Sequence, residues 1–173
     1  MLEFLQGEEN PIEIKELCLT IIANLCNGCK KNKKLFREKH GVDILITYLK
    51  DPDIASSNRY VLLGLALLNA LWNAVLGSRR SEERFLSNQG LFDLLEFIEA
   101  CDYVHRKMAL SCVSYLTENA KAVKEFLEWN SEKTMVNATQ LMIRLYGEED
   151  EKYGVKYEQG VVVNRKKPLV PEK

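Results

Sequence analysis

Apolar residues recur every three or four positions through most of the chain. Between residues 12 and 26 they fall at Ile14, Leu17, Cys18, Ile21, Ile22 and Leu25, one broad stripe of an amphipathic helix. Residues 60–76 are apolar almost all round, which places that helix in the middle of a stack, covered on several sides, with Trp72 expected to be buried between neighbours. Shorter helical patterns follow at 32–39, 42–50, 81–88, 91–100, 103–118, 120–129 and 132–147. Gly28, Gly41, Asp51-Pro52, Gly77 and Gly90 punctuate them, and KDPDIASSN reads as a polar loop. No stretch before residue 153 alternates convincingly at period two, so the pattern predicts an all-α chain.

The pattern also repeats. Sliding the sequence by 49 residues lays Leu19 on Leu68, Asn24 on Asn73, Gly28 on Gly77, Phe36 on Phe85, Gly41 on Gly90 and Leu45 on Leu94. A further step of about 41 sets Phe85 on Phe126 and Asn73 on Ser114, with the glycines lost. Helical periods in the forties mark a solenoid, in which each unit buries its face on its neighbours.

The order of Asn, Gly four residues on, a short helix with a large apolar residue, Gly, and an apolar helix resembles the armadillo repeat. Asn24-Leu25 with Gly28, Asn73-Ala74 with Gly77, Gly41-Val42 and Gly90-Leu91 carry the likeness. It implies an armadillo-like α-solenoid, a right-handed superhelix of stacked helical repeats, over residues 1–152, followed by an extended tail over 153–173. Residues 12–27, 58–76 and 103–118 become the third helices of successive repeats, which in armadillo proteins line a groove that binds an extended peptide. Asn24 and Asn73 inherit the role of bonding that peptide's backbone, with Thr20 and Asn69 one turn earlier and Ser114 as the third rung. The same amides could instead bond neighbouring helices internally.

Composition narrows the function classes. The 173 residues are 46% apolar, enough for a core, and 24 basic against 25 acidic residues leave a net charge of −1. That balance makes no case for nucleic acid or an anionic membrane as partner. The apolar runs are far shorter than the roughly 20 residues needed to span a bilayer, and MLEFLQGEEN lacks the pattern of a secretory signal. Five cysteines, an odd number without a framework, fit a reducing, cytoplasmic setting.

Candidate chemistry is sparse. Cys26 and Cys29 form a single CxxC with no second pair to complete a zinc site, so no metal and no cofactor is expected, and they read as a buried thiol beside an exposed one. His40 and His105 lack a partner nucleophile. Leu91, Leu94 and Leu95 spell LxxLL but fall at core positions, and the sequon at Asn137 is a chance match. The run KKNKKLFREKH offers a basic patch at Lys30, Lys31, Lys33 and Lys34 that is either solvated or set against an acidic surface such as tubulin. Val161 to Val163 could add as a strand to a partner, beside a tail with a basic triplet and two prolines. Without phosphate loop, metal pair or nucleophile motif, the residues predict a non-enzymatic scaffold.

One further likeness is more specific. NALWNAVLGSRRSEERFL, then QGLFDLLEFIE, then LYGEEDEKYGVKYEQGVV, resemble the C-terminal part of the armadillo-type family of cilia- and flagella-associated protein 69. The resemblance implies a structural subunit of the axonemal central apparatus of motile cilia and flagella, with other subunits of that assembly, and tubulin, as partners. The other reading within the binding class is a soluble armadillo adaptor for trafficking or signalling.

Overall fold

Gly28 and Gly77 set the frame of the fold. Both follow the third helix of a repeat and adopt positive φ, 65° and 73°, where a side chain would strain the backbone. The structure, a computed structural model, describes residues 1–7 and 9–164, in two compact units, Met1–Trp129 and Asn130–Lys173.

The first unit runs α1 (Leu2–Gln6), α2 (Ile12–Cys26), α3 (Lys30–Glu38), α4 (Gly41–Leu49), α5 (Pro52–Ser56), α6 (Val61–Ala70, prolonged by a wide π turn over Leu71–Val75), α7 (Arg79–Ser87), α8 (Gly90–Ala100), α9 (Tyr103–Leu116) and α10 (Ala120–Glu128). The starts of α2, α3 and α4 lie 49 residues before those of α6, α7 and α8, so the repeat seen in the sequence is a repeat of helices. At Gly41 and Gly90 the rings of Phe36 and Phe85 occupy the space of an absent side chain, 2.3 and 2.5 Å from where a Cβ would stand. His40 and Gln89, the residues before them, share a left-handed turn at φ 61° and 62°.

Third helices stack on third helices: α2 packs on α6, and α6 on α9. Leu19, Leu67, Leu68, Leu71, Phe97 and Ile98 are fully enclosed, as are Leu91, Leu94 and Leu95, so the LxxLL string is core. On α2 the buried face is Cys18, Leu19, Ile22, Ala23 and Cys26, while Ile14, Leu17, Ile21 and Leu25 are exposed. The predicted broad stripe is therefore two faces, only one of which is covered.

Three expectations are corrected. Trp72 is 38% exposed rather than buried, although its register partner Ala23 is enclosed. An indole does not fit where alanines line the seam, and the π turn, in which Leu76 N–H bonds Leu71 O, widens the helix just there. KDPDIASSN is not only loop: Asp51 accepts from Asp53 N–H at 3.0 Å, Pro52 opens α5, and Ile54 and Ala55 are buried. The helix predicted at 132–147 starts later, at Ala138.

In the second unit that helix is α11 (Ala138–Lys152), held by a capping box in which Asn137 accepts from Gln140 N–H and Gln140 accepts from Asn137 N–H. The Asn137 amide of the sequon is thus the helix cap. Past Lys152 the chain leaves the helix and forms a hairpin of β1 (Tyr157–Glu158) and β2 (Val161–Val162). Gln159 and Gly160, both at positive φ, make its tight turn. Asn164 closes the base, accepting from Lys156 N–H at 2.9 Å and donating to Gly154 O at 2.7 Å. Val161 and Val162 are paired within the chain, and the basic triplet and prolines of 165–171 lie outside the described residues.

Candidate functional site

The rungs named from sequence fall on α2, α6 with its π turn, and α9. Thr20 is half-buried and Asn24 exposed; Asn69 and Asn73 are half-buried; Ser114 is exposed. Asn73 donates to both oxygens of Asn69, Oδ1 at 2.8 Å and the backbone O at 3.0 Å, so the two amides on α6 form one unit held within their helix. Asn24, at the same register in the first repeat, has no hydrogen-bonding partner among the described residues. One amide is exposed; the other is held within its helix.

Around Gly77 the structure assembles a cluster that spacing alone did not reveal. Trp72 meets Tyr115 of α9 edge to face, ring centroids 5.8 Å apart. Lys33 of α3 donates to Leu76 O at 2.5 Å, and Glu82 of α7 accepts from Gly77 N–H at 2.6 Å. The ammonium sits where α6 ends and carbonyls are left unpaired, the place that favours a cation. A Cβ on Gly77 would lie 3.6 Å from Lys33 Nζ and 3.8 Å from the Tyr115 hydroxyl. Side chains from three successive repeats therefore converge on one glycine and one aromatic pair.

That geometry divides the basic patch. Lys33 is half-buried and committed to Leu76, whereas Lys30, Lys31 and Lys34 are exposed, Lys34 lying 3.7 Å from Glu38. Sequence reasoning missed Glu82 and Tyr115. The 49-residue step does set Lys33 on Glu82, an opposite-charge pair at one register, but nothing in the pattern marks Tyr115.

Other titratable groups serve packing. Asp43 accepts from Arg84 and Asn88 of the next repeat, Arg84 Nε at 2.9 Å and Asn88 Nδ2 at 2.7 Å, and the Arg84 bonds hold its carboxyl below the usual range. His105 is buried with Nε2 3.0 Å from Val61 O, in the space left by Gly64. Burial pushes the Cys101 thiol up to about 11 and Cys112 up to about 12, and raises Cys26 as well, which disfavours the thiolate that nucleophilic or redox chemistry requires. Cys29 is half-buried. Among the described residues no three His, Cys, Asp or Glu side chains stand together as metal ligands, and no helix is long and apolar enough to cross a membrane.

Comparison with known proteins finds one family. The profile described as "Cilia- and flagella-associated protein 69, ARM repeat" matches residues 5–173. The chain is 30% identical over 161 residues to cilia- and flagella-associated protein 69 of Papio anubis and of Homo sapiens, and 29% identical to that of Mus musculus. In each case the alignment covers 91% of this chain and 17% of the relative, so the chain spans only a small part of the curated proteins it matches.

Proposed function

The chain belongs to the armadillo-repeat family of cilia- and flagella-associated protein 69, and from that premise we propose that it is a non-enzymatic scaffold of the axonemal central apparatus in motile cilia and flagella. It binds an extended segment of a partner protein along the faces of α2, α6 and α9. The supporting observation is the cluster at Gly77. A glycine without a side chain, an edge-to-face Trp72–Tyr115 pair and the Asn69–Asn73 unit give a peptide an apolar wall beside backbone-bonding amides. Asn24 extends the row by one repeat.

Partner contact has a second component in Lys30, Lys31 and Lys34, which suit an acidic surface such as tubulin or another central-apparatus subunit. The hairpin and tail add a third.

The test compares two variants in detergent-extracted axonemes. Asn24→Ala with Asn73→Ala removes neutral hydrogen bonds worth about 0.5 to 1.5 kcal/mol each, so binding weakens about tenfold to a hundredfold while the fold persists. Reversing Lys30, Lys31 and Lys34 to Glu removes a salt-sensitive contact elsewhere. If charge reversal abolishes retention and the double Asn change leaves it intact, the groove reading fails. A chain that washes out of axonemes at low salt is instead a soluble adaptor.

A further inference from the structure

The turn after α2 carries two thiols where the matching turn of the next repeat carries none. Cys26 ends α2 and Cys29 stands immediately before α3, while Val75 and Ser78 hold the same two places 49 residues on. The backbones are alike. Cys29 N–H donates to Cys26 O at 3.1 Å and Ser78 N–H to Val75 O at 3.2 Å, each across a glycine at positive φ. Asn27 at φ −58° and ψ 118°, followed by Gly28 at φ 65°, makes the first a type II turn.

A turn of that class keeps its first and fourth Cα atoms within about 7 Å. A disulfide spans about 4.4 to 6.8 Å between Cα atoms, so the folded backbone brings this pair to bonding range. The two thiols also feel each other: burial pushes the Cys26 thiol up, the Lys33 ammonium draws it down and Cys29 adds to the rise. Cys18 stands eight residues earlier on α2, about 12 Å along the helix and out of reach of Cys26. Access separates the pair, since Cys26 is 2% exposed and Cys29 half-buried. The accessibility of Cys29 is a property of the turn itself, because Ser78, which follows a helix packed between α2 and α9, is half-buried as well.

We propose that Cys26 and Cys29 form a reversible oxidation site, in which a hydroperoxide oxidises Cys29 to a sulfenic acid and Cys26 resolves it to a disulfide. In the first step the peroxide O–O bond breaks, one oxygen joins the Cys29 sulfur, and the other leaves as water or an alcohol. The Cys26 sulfur then attacks the Cys29 sulfur, the S–O bond breaks, and the oxygen departs as water with the Cys26 proton. The peroxide is reduced by the two electrons that the thiols give up. Burial keeps Cys26 from the oxidant and reserves it for the second step. A disulfide at a half-buried turn is open to exchange, so a dithiol reductant returns both thiols and is itself oxidised. The bond forms or fails whether or not a partner fills the groove.

Peptide mapping of the purified chain tests it. After a modest excess of hydrogen peroxide, alkylation in denaturant and trypsin cleavage, Cys18, Cys26 and Cys29 fall on one peptide, 16–30. Cys26 and Cys29 are expected to be linked and Cys18 alkylated, a loss of two of the five thiols that dithiothreitol reverses. Cys26→Val, which installs the residue of the next repeat, abolishes the disulfide and leaves Cys29 as a sulfenic acid that dimedone captures. Cys29→Ser, at the half-buried position, leaves Cys26 reduced, and circular dichroism checks that both variants keep the helix content of the parent. A parent in which Cys29 passes on to the sulfinic acid while Cys26 stays free, or in which peroxide leaves both as thiols, overturns the proposal. So does a bond from Cys26 to Cys18, or from Cys29 to another chain.

Discussion

The first and second repeats start their three helices at the same register, yet one carries Ile14, Leu17, Ile21 and Leu25 where the other carries Leu63, Ala66, Ala70 and Ala74. The alanines are enclosed because α2 packs on α6; the larger residues face out. Small side chains let two helices approach closely, and large ones suit a contact with a different spacing. Matched backbones thus carry unmatched seams. Within the described residues α6 lies between α2 and α9, whereas the equivalent side of α2 is exposed.

Substitutions at equivalent positions probe that contrast, and the largest effect is expected at the phenylalanines. Phe85 is wholly buried and Phe36 nearly so, each packed on its glycine. Phe85→Ala should cost about 3 to 5 kcal/mol and Phe36→Ala less, read from urea unfolding, because the Phe36 ring is less completely enclosed. Equal losses would mean that the first repeat is as tightly constrained as the second.

Next comes a polar intrusion. Asp93 occupies the register of Ile44, is buried, and has Lys50 no closer than 3.8 Å. Burial raises its carboxyl to about 6 from the ordinary 3.8. The folded state therefore holds the proton more tightly than the unfolded one. This carboxyl weakens the fold increasingly as pH rises from about 3.8 through about 6, and its penalty is complete above that. Asp93→Asn should stabilise the protein at pH 7 by at most about 3 kcal/mol, with the gain vanishing below about pH 4. A gain that does not change with pH would assign the effect to packing.

The smallest expected effects test the seam itself. Ala70→Leu forces extra volume between α2 and α6 and should cost about 1 to 3 kcal/mol. Ile21→Ala, at the same register on the open side, should change the stability of the monomer by no more than about 0.5 kcal/mol in thermal unfolding. Similar losses at the two positions would show that the face of α2 is covered within the monomer.

Much of this was legible without coordinates, for identifiable reasons. The glycines at 28, 41, 77 and 90 are sequence marks of backbone turns and close approaches, so a shift of 49 residues finds the repeat to the residue. The proposed rungs came from the armadillo resemblance, and helical spacing added Thr20 and Asn69 one turn earlier on the same helices. What spacing cannot give is the partner of each side chain. Asn69 and Asn73 were readable as neighbours one turn apart, but their mutual hydrogen bond, and the engagement of Lys33 by Leu76, depend on side-chain direction and on a neighbouring repeat. The late start of α11 was missed because WNSEKTMVN carries apolar residues at helix-like spacing, whereas the Asn137 and Gln140 capping box decides where the helix begins.

The sequence by itself determined the helical class, the 49-residue repeat and the family. The first two follow from local periodicity and glycine placement, which the chain encodes at short range, and the family from the resemblance of particular segments. Only the tertiary structure decided which half of an apolar stripe is core and which is surface, because burial belongs to the packed pair of helices rather than to either alone. It also decided that Trp72 rests against Tyr115 at the rim and that the three repeats meet at Gly77. Trp72 and Tyr115, like Lys33 and Leu76, stand 43 positions apart, beyond the reach of any spacing rule within one helix.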